Sequence, residues 1–578
     1  MNRISVFVRR QRIKKLETWT MRAILAEAFF IAIFPQAAAA AVMLGIIAWF
    51  FRLQIDSRFK LRALQFDIPV TIFAMLSAIS VFMSSASSFE LIYNYFGIFG
   101  VYLLTYVLIG QNIRTHEQIK TLAKALALSA FVVVMGGYFQ FVFGVDIADM
   151  KWVDGEAFPE LRRRVFSTLE NPNVLAGYLD VMICLALGVL AKTTEKNLRI
   201  VLIISIVMLA ACLMMTYSRG AFLAIAIVFV IYGVLQDWRV LVLFFVVSAI
   251  LIFNDETFFD RVTSIFTTTI DSSEGLRVGI WVSTISMIAD HPFIGVGWGA
   301  YKFIYPQYNY YLADTSITIF HAHNLYLNTA AEVGIVGAMA YFWYFFGTMF
   351  SALALNSNRR YVKIKDTALN TAKKTAEITR HSKFTQKFAE ILVTSKFLQS
   401  LAQSKSLLMT RMTVAANRIM DIFSFTPSES EIRKSGKREE DFSEEIIDGE
   451  KKIPPRRTRR KKNPEPELVH HEELKWSSPP LSEKADAEKK SDTEKKSDDD
   501  KIDLQKFAEP IDINSVAKAI EKEKTAQIVS GLRFGIGLAF LSMALNGMTD
   551  DLLFNIPSSI LMWQLGALSA AINFMDKD

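Results

Sequence analysis

Cysteine is scarce in this chain: its 578 residues include only Cys184 and Cys212, and both lie inside apolar runs. A disulfide framework is therefore not indicated. The sequence also contains no P-loop, no G-x-S-x-G nucleophile elbow and no Cys/His cluster with zinc spacing. These absences argue against a nucleotide-hydrolysing loop, a serine-hydrolase elbow and a zinc centre. We predict no metal site and no cofactor.

Long apolar runs are abundant. The chain is 52% hydrophobic with 45 Phe, and its mean hydropathy is +0.28. Runs such as VLIISIVMLAACLMM and AFLAIAIVFVIYGVL approach the roughly 20 residues that cross a hydrocarbon core about 30 Å thick. The composition therefore predicts an all-α polytopic integral membrane protein. Because the charged residues lie mostly outside these runs, the net charge of +7 comes mainly from the tails and loops.

Hydropathy predicts ten clear spans, near 68–84, 91–110, 122–144, 174–191, 198–216, 220–236, 238–254, 324–350, 531–548 and 554–574. The connections RLQIDSRFKLR, QNIRTHEQIK and KTTEKNLR are short and basic, so the positive-inside rule makes them cytoplasmic. Alternation from these anchors places 145–173, 217–219 and 254–323 on the far side of the membrane. The large far-side loop is 255–323.

The first apolar stretch, about 21–51, has basic flanks on both sides that favour the cytoplasm. Two short helices broken near Pro35 would satisfy both flanks, since proline disrupts a helix interior. The prediction is then about 12 spans, with nine in 21–254, the tenth at 324–350 and two in 531–574. Residues 1–20 form a basic cytoplasmic N-terminus and not a cleavable signal. A single crossing by 21–51 would give 11 spans.

A long insertion, 355–528, separates the tenth span from the last two. Its first part, near 359–420, mixes basic and apolar residues and is expected to contact anionic lipid headgroups or a protein of unknown identity. Its second part, about 427–505, is charged and contains proline and serine, so partial disorder is expected. Acidic runs interleave with the basic ones, so a solvated tail is favoured over nucleic-acid binding.

Polar residues collect where the tenth span begins. HAHNLYLNTAAEVGIVG (321–337) carries His321 and His323 just before an apolar helix. In a continuous helix, Asn324, Asn328 and Glu332 would share one face. The segment also holds the row Ala330, Gly334, Ala338, which suits close helix contact. The alternative for His323 is a structural histidine that is hydrogen-bonded in an interface.

Several arginines are expected on the same side. Arg219, in TYSRGAF, stands at a far-side turn against the usual charge bias, which makes it a functional candidate; a snorkelling arginine bound to lipid phosphate is the alternative. Arg277 begins an amphipathic segment and is a further functional candidate. The alternative is that Arg277 only forms a salt bridge with a neighbouring acid. Arg164 precedes an Asn-Pro-Asn turn in which Asn173 is the predicted N-cap. The adjacent carboxylates of TDD (549–551) are expected to form a solvated turn.

Arginines and a histidine suit one kind of reaction. The guanidinium fork matches phosphate oxygens bidentately, so two arginines can hold a pyrophosphate and stabilise its charge as it leaves. A histidine with a pKa near 6.5 is largely neutral at pH 7 and can accept a proton from an attacking hydroxyl. No DxD pair accompanies them on the far side, so a metal-held nucleotide sugar is not expected there.

Four blocks of sequence resemble a known family. HNLYLNTAAEVGIVG (323–337), RVFSTLENPNVLAGYL, YSRGA and HPFIGVGWGAY are similar to the recurring blocks of the Wzy_C superfamily of O-antigen ligases, polymerases and O-oligosaccharyltransferases. The resemblance covers roughly 120–350. It implies transfer of a glycan from undecaprenyl pyrophosphate to a membrane-anchored hydroxyl acceptor at the periplasmic face of a bacterial inner membrane. Because no metal site is evident in the sequence, we expect this transfer to be metal-independent.

The resemblance also implies roles for particular residues. His323, Arg219 and Arg277 match the family's key histidine and arginines. We predict that His323 is the general base and that the transfer inverts the anomeric configuration. Arg164, Asn324, Glu332 and His321 are the predicted substrate-binding residues. The favoured activity is an O-antigen ligase acting on lipid A–core. The alternatives are a Wzy-type polymerase, a protein O-oligosaccharyltransferase and, last, a transporter, for which the expected inverted repeats are not visible.

Overall fold

A computed structural model of the protein describes residues 3–86, 88–144, 164–242, 244–246, 273–310, 318–379 and 513–576. Every regular element in these ranges is helical, and nearly all of the ranges belong to one compact unit. The α-helices are α1 (Arg3–Phe30), α2 (Pro35–Ile55), α3 (Asp67–Met83), α4 (Phe89–Asn94), α5 (Gly100–Asn112), α6 (His116–Phe143), α7 (Pro172–Lys192), α8 (Lys196–Met214), α9 (Arg219–Leu235), α10 (Ser273–Asp290), α11 (Tyr301–Ile304), α12 (Leu325–Thr379), α13 (Ile513–Asn546) and α14 (Ile556–Met575).

Eight of the described helices are long and apolar enough to cross a membrane, and two shorter apolar helices, Asp67–Met83 and Arg219–Val234, accompany them. The all-helical, polytopic character predicted from hydropathy is therefore confirmed, whereas the count of 12 spans is not. The predicted span at 238–254 lies mostly outside the described residues. Helix α1 is not among these ten apolar helices, because its first half contains many basic residues.

The chain does break before Pro35. Helix α1 ends at Phe30 and α2 begins at Pro35, which occupies the first turn of the new helix, a position that proline tolerates because its missing N–H has no partner there. The two helices have 28 and 21 residues and pack against each other. They are therefore longer than the two short helices expected from the sequence, since helix α1 takes in most of the basic N-terminus.

Both ends of the predicted insertion are helical where the structure describes them. Helix α12 runs on to Thr379, and α13 begins at Ile513. The last two predicted spans lie within α13 and α14. The expected lipid contact near 359–420 and the expected disorder at 427–505 fall largely outside the described residues and stay predictions.

The described part of the large loop contains a substantial helix. Helix α10 has 18 residues, and its buried side includes Ile280, Ser283 and Met287. Its exposed side carries Val278 and Ile285, each 55% exposed. Such an apolar outer face is suited to lipid and not to water. Helix α10 is therefore packed into the bundle on one side and suited to the membrane on the other.

Helix α12 is interrupted at Gly334. This residue has φ +72° and ψ 171°, and the segment 291–299 docks against the break. Backbone N–H groups of Val296 and Gly297 donate to the carbonyls of Ala331 and Glu332 at 2.8 and 2.9 Å. The expected helix-contact row through Ala330, Gly334 and Ala338 is therefore wrong for Gly334, which meets a loop backbone and not another helix.

Alanine at Gly334 should destabilise the protein more than alanine at Gly144. Both glycines have φ +72°, but a Cβ at Gly334 would meet the Phe293 carbonyl oxygen at 2.3 Å, whereas a Cβ at Gly144 would meet nothing. We expect a loss of about 1 kcal/mol at Gly144 and roughly twice that or more at Gly334. Thermal unfolding of the purified variants in detergent measures the difference. Equal shifts in melting temperature would contradict the close contact between Gly334 and the Phe293 carbonyl.

Candidate active site

Three distant segments of the chain meet at one end of the bundle. They are the residues before α12, the turn from α13 to α14, and the beginning of α10. The Leu325 N–H donates to the Gly547 carbonyl at 2.8 Å, which ties the start of α12 to the turn. The Trp281 indole N–H donates to the Ala322 carbonyl at 3.0 Å, which ties α10 to the same strip of chain.

His323 lies at this junction, paired with an aspartate. Its Nδ1 lies 3.1 Å from Asp550 Oδ1. An ionised carboxylate can only accept hydrogen bonds, so Nδ1 carries the hydrogen and the lone pair stays on Nε2. His323 also has φ +48°, a left-handed conformation that histidine adopts more readily than most residues. The geometry orients a partly exposed imidazole whose second nitrogen can accept a proton.

Asp550 is the centre of a polar network. Its side chain accepts hydrogen bonds from the Asp551 N–H at 2.9 Å and from Asn173 Nδ2 at 3.0 Å. The Arg277 guanidinium lies 3.8 Å from Oδ2. Burial raises the pKa of this carboxyl, but the hydrogen bond with His323 and the charge of Arg277 together hold it well below its usual range. Asp550 is therefore an ionised, buried anion.

His321 lies against His323 with ring centroids 4.1 Å apart, and its ring stacks on Phe554 at 4.7 Å. Its Nδ1 accepts the His323 backbone N–H at 3.1 Å. Burial, together with the neighbouring positive charges, lowers the pKa of His321 to about 3. His321 is therefore a neutral group that accepts a hydrogen bond from the His323 backbone. Its ring lies between the His323 ring and Phe554.

Arg164 reaches the site through Asn173. Its guanidinium donates to Asn173 Oδ1 at 2.6 Å and to the Thr216 carbonyl at 2.7 Å. Asn171, and not Asn173, caps α7, since its side chain accepts the Asn173 and Val174 backbone N–H groups. The expected N-cap is thus displaced by two residues. Asn173 is left to bridge Arg164 to Asp550.

Arg219 is the first residue of α9. The next residue, Gly220, packs on the turn after α13, where an added Cβ would lie 2.6 Å from Thr549 Oγ1. Thr549 directly precedes Asp550, so α9 begins beside the polar network. The positive end of the α9 dipole points to the same region, which favours an anion there.

The side chains of Asn324 and Glu332 both hydrogen-bond to the protein backbone. Asn324 precedes α12, and its Oδ1 accepts the N–H groups of Tyr326 and Leu327 at 3.0 Å each, so it caps the helix. It therefore does not belong to the helical face predicted for it. Asn328 and Glu332 do lie one turn apart in the helix. The Glu332 carboxyl is buried and hydrogen-bonds to the backbone of Gly299 and Tyr301.

The turn at 549–551 is not solvated, contrary to expectation. Asp550 and Asp551 are only 8% and 6% exposed. Burial, together with the neighbouring charge of Asp550, raises the pKa of Asp551 to about 7. Two adjacent acids between the last two apolar runs were the signal in the sequence. The sequence could not reveal that this turn is buried, because the side chains that pair with Asp550 are more than 200 residues away in the chain.

His321, His323 and Asp550 also bring three ligand atoms within 4.8 Å of one another, an arrangement that could hold a metal ion. The sequence does not predict this group, since its members are split between 321–323 and 550. The Arg277 guanidinium beside Asp550 competes with a cation for the same carboxylate. Histidine and carboxylate are ordinary ligands for zinc and similar ions, so metal independence stays a prediction.

Residues 204–342 match the family model Wzy_C, described as O-antigen ligase. The resemblance noted in the sequence is thereby confirmed over this segment, which is narrower than the 120–350 expected. Arg219, Arg277 and His323 lie inside the matched segment, whereas Arg164 and Asp550 lie outside it. No curated protein matches the chain. The match shows similarity to the O-antigen ligase family over this segment and does not distinguish a ligase from a polymerase.

Asp551→Asn should stabilise the protein more at pH 8 than at pH 5. The pKa of Asp551 is raised to about 7 in the folded state from about 3.9 in an unfolded chain. The folded state therefore holds the proton more tightly, and stability falls as pH rises through this interval. Thermal unfolding at the two pH values measures the effect.

Asp550→Asn is the matched control for that experiment. The pKa of Asp550 is lowered, so its ionised form stabilises the fold, and that stability is lost only as pH falls through the folded-state pKa. The substitution should therefore destabilise the protein at pH 8. The same direction of change in both variants would contradict the assigned charges.

Proposed function

We propose that this protein is an O-antigen ligase-like glycosyltransferase. It moves a glycan from undecaprenyl pyrophosphate to lipid A–core at the periplasmic face of a bacterial inner membrane, in the synthesis of lipopolysaccharide. The observation that carries the proposal is the meeting of His323, Asp550 and Arg277 at one end of a helical bundle, with two of the three inside the segment that matches the ligase family.

The cationic side of the site suits a pyrophosphate. Arg277 uses one nitrogen on Asp550 at a distance of 3.8 Å, and a guanidinium has five N–H donors, so donors remain for phosphate oxygens. Arg219, at the start of α9, adds a second guanidinium and a helix N-terminus beside the same turn. Together they can stabilise the negative charge that develops as the pyrophosphate leaves.

His323 supplies the base. The acceptor hydroxyl oxygen attacks the anomeric carbon of the donor sugar, and its proton moves to Nε2 of His323. The bond from that carbon to the pyrophosphate oxygen breaks, and its electron pair leaves with the pyrophosphate. Asp550 holds Nδ1–H and stabilises the imidazolium that forms, as the aspartate does in a Ser-His-Asp triad. Direct displacement of this kind inverts the anomeric configuration.

Two other acceptors fit the same chemistry. A second polyprenyl-linked repeat unit would make the protein a Wzy-type polymerase, and a serine or threonine hydroxyl would make it a protein O-oligosaccharyltransferase. Each needs the same base and the same pyrophosphate clamp. We put the ligase first, and the match to the family model by itself does not distinguish the three acceptors.

Deletion of the gene separates these three activities. For a ligase we expect lipid A–core without any added glycan, together with an accumulation of lipid-linked polymer. Single repeat units left on the core would point to a polymerase. Normal lipopolysaccharide with unglycosylated protein would point to an O-oligosaccharyltransferase. Analysis of extracted lipopolysaccharide and of lipid-linked glycan in one strain measures all the outcomes.

His323→Ala should lower the transfer rate by about 10²–10⁴-fold, the usual contribution of a general base. Donor binding should survive, because it depends on the arginines. Asp550→Asn should also lower the rate, since an amide no longer fixes the hydrogen on Nδ1. The measurement is transfer rate and donor affinity with the purified protein. Near-normal turnover in His323→Ala would eliminate it as the base.

His321→Ala serves as the control and should have a smaller effect, because His321 acts through the backbone of His323. A metal ion held by His321, His323 and Asp550 would behave differently: EDTA would abolish transfer, and added zinc or magnesium would restore it. We expect transfer to persist in EDTA. A defect confined to His321→Ala would reassign the base.

A further inference from the structure

A groove of about 270 Å³ lies between α6 and α8. Its floor is formed by α13 and by the second half of α7, which contributes Met182, Leu185 and Val189. Helix α7 carries Asn173, a member of the polar network around Asp550, in its first turn. The groove therefore lies towards the other end of α7 and is separate from the candidate active site.

The interior of the groove is apolar. Of its 19 lining residues only Lys120, Lys124 and Ser205 are polar. The Ser205 hydroxyl donates to the Val201 carbonyl at 2.8 Å, so it is already used by its own helix. Phe131, on the α6 edge of the groove, is 55% exposed. An apolar groove with an exposed apolar edge suits hydrocarbon and not water.

The inner end of the groove is closed by a contact between its two edges. The Tyr138 hydroxyl of α6 donates to the Met208 carbonyl of α8 at 2.8 Å, one turn beyond Val134, which lines the groove. From Lys120 to Val134, α6 rises about 21 Å at 1.5 Å per residue. One leaflet of a hydrocarbon core contributes about 15 Å. The groove is therefore about as long as one leaflet and the adjoining headgroup boundary.

Both lining lysines lie at the other end of the groove, in the first turns of α6. The Lys120 ammonium lies 3.6 Å from a carboxylate oxygen of Glu117 and 3.7 Å from one of Glu521. Lys124 is exposed, and its charge contributes only a weaker part of the lowered pKa of Glu117. In the described part of the chain, no carboxylate pairs with Lys124 within 4 Å. Its ammonium group is therefore available to an anion at the mouth of the groove.

The surroundings of the mouth are basic as well. Three segments meet there, since Lys120 pairs with Glu521 and Lys524 pairs with Glu195 at 3.5 Å. These segments, 116–125, 190–199 and 517–525, contain eight basic and four acidic residues. The first two belong to the basic connections that the positive-inside rule predicts to be cytoplasmic. The mouth is therefore expected at the headgroups of the cytoplasmic leaflet, with an excess of positive charge.

We propose that this groove holds one acyl chain of an anionic phospholipid from the cytoplasmic leaflet, with the phosphate of the lipid beside Lys124. The apolar lining and the leaflet-long depth fit the chain, and the basic mouth attracts an anionic headgroup. A zwitterionic phospholipid has the same chains but no net negative charge, so the mouth selects against it. A polyprenyl chain is several times longer than the groove, which Tyr138 closes. The bound lipid packs between α6 and α8 and stabilises the bundle.

Native mass spectrometry of the full-length protein in an uncharged detergent tests the headgroup. Palmitoyl-oleoyl phosphatidylglycerol should bind about tenfold more tightly than phosphatidylcholine with the same chains. Lys124→Glu replaces an attraction by a repulsion, so it should weaken binding of phosphatidylglycerol by about tenfold and leave phosphatidylcholine unchanged. The matched control is Lys60→Glu, because Lys60 is also exposed and lies on the same predicted side without lining the groove. Its binding of phosphatidylglycerol should be unchanged.

A tryptophan pair tests the chain. Ala127 lines the groove, whereas the next residue, Leu128, is 55% exposed and does not line it. The indole of Ala127→Trp should fill the groove, weaken binding of phosphatidylglycerol by about tenfold and abolish the rise in melting temperature that this lipid causes. Leu128→Trp should keep both effects. The melting temperature without added lipid shows whether each variant is folded.

Several results would overturn the proposal. Equal affinity for phosphatidylglycerol and phosphatidylcholine would mean ordinary lipid contact without selection by charge. Undiminished binding of phosphatidylglycerol in both Lys124→Glu and folded Ala127→Trp would place the lipid elsewhere. Tighter binding of a polyprenyl phosphate than of phosphatidylglycerol would reassign the occupant, and equal stabilisation by inorganic phosphate would remove the acyl chain from the argument. None of these measurements depends on glycan transfer, so the lipid site and the proposed function are tested separately.

Discussion

A buried carboxylate at Asp550 is the constraint on which the site depends. An anion removed from water must be compensated by charge or hydrogen bonds, and this one draws together groups from four parts of the chain. His323, Arg277, Asn173 and the Asp551 N–H each face it. The same contacts that satisfy the anion fix the tautomer of the histidine and the position of a guanidinium. Stability and the proposed chemistry thus share one interaction.

A second constraint comes from the glycines of the segment 291–299 and of α12. Gly295 and Gly334 pack so closely that a Cβ at Gly295 would lie 2.5 Å from the Gly334 nitrogen. The break that this contact makes in α12 leaves carbonyls free to accept the N–H groups of Val296 and Gly297. The side chain of Glu332, just before the break, hydrogen-bonds to the backbone of Gly299 and Tyr301, at the end of the segment 291–299. The break therefore positions the segment 291–299 and the start of α12 at once.

The two sides of the site differ in charge. Arg277 and the N-terminus of α9 make one side suitable for an anion, while on the other side burial raises the pKa of Asp551 to about 7, so this carboxyl is partly protonated near neutral pH. The proposed reaction, which joins a pyrophosphate-linked donor to a hydroxyl, suits such a division, because its leaving group is charged. The neutral His321 and the ring of Phe554 lie between the two sides.

The sequence by itself determined the helical, polytopic character and the resemblance to the Wzy_C family, and it singled out His323, Arg219 and Arg277 as candidates. Apolar runs and local motifs are contiguous in the chain, so pattern and spacing were enough. Only the tertiary structure decided that Asp550 is the partner of His323, that Asn171 and not Asn173 caps α7, that Asn324 is a cap, and that Gly334 breaks α12. Each of these depends on contacts between residues distant in sequence or on a backbone conformation imposed by them. The burial of the 549–551 turn is the clearest case, because adjacent acids are solvated unless a fold brings them cations and donors.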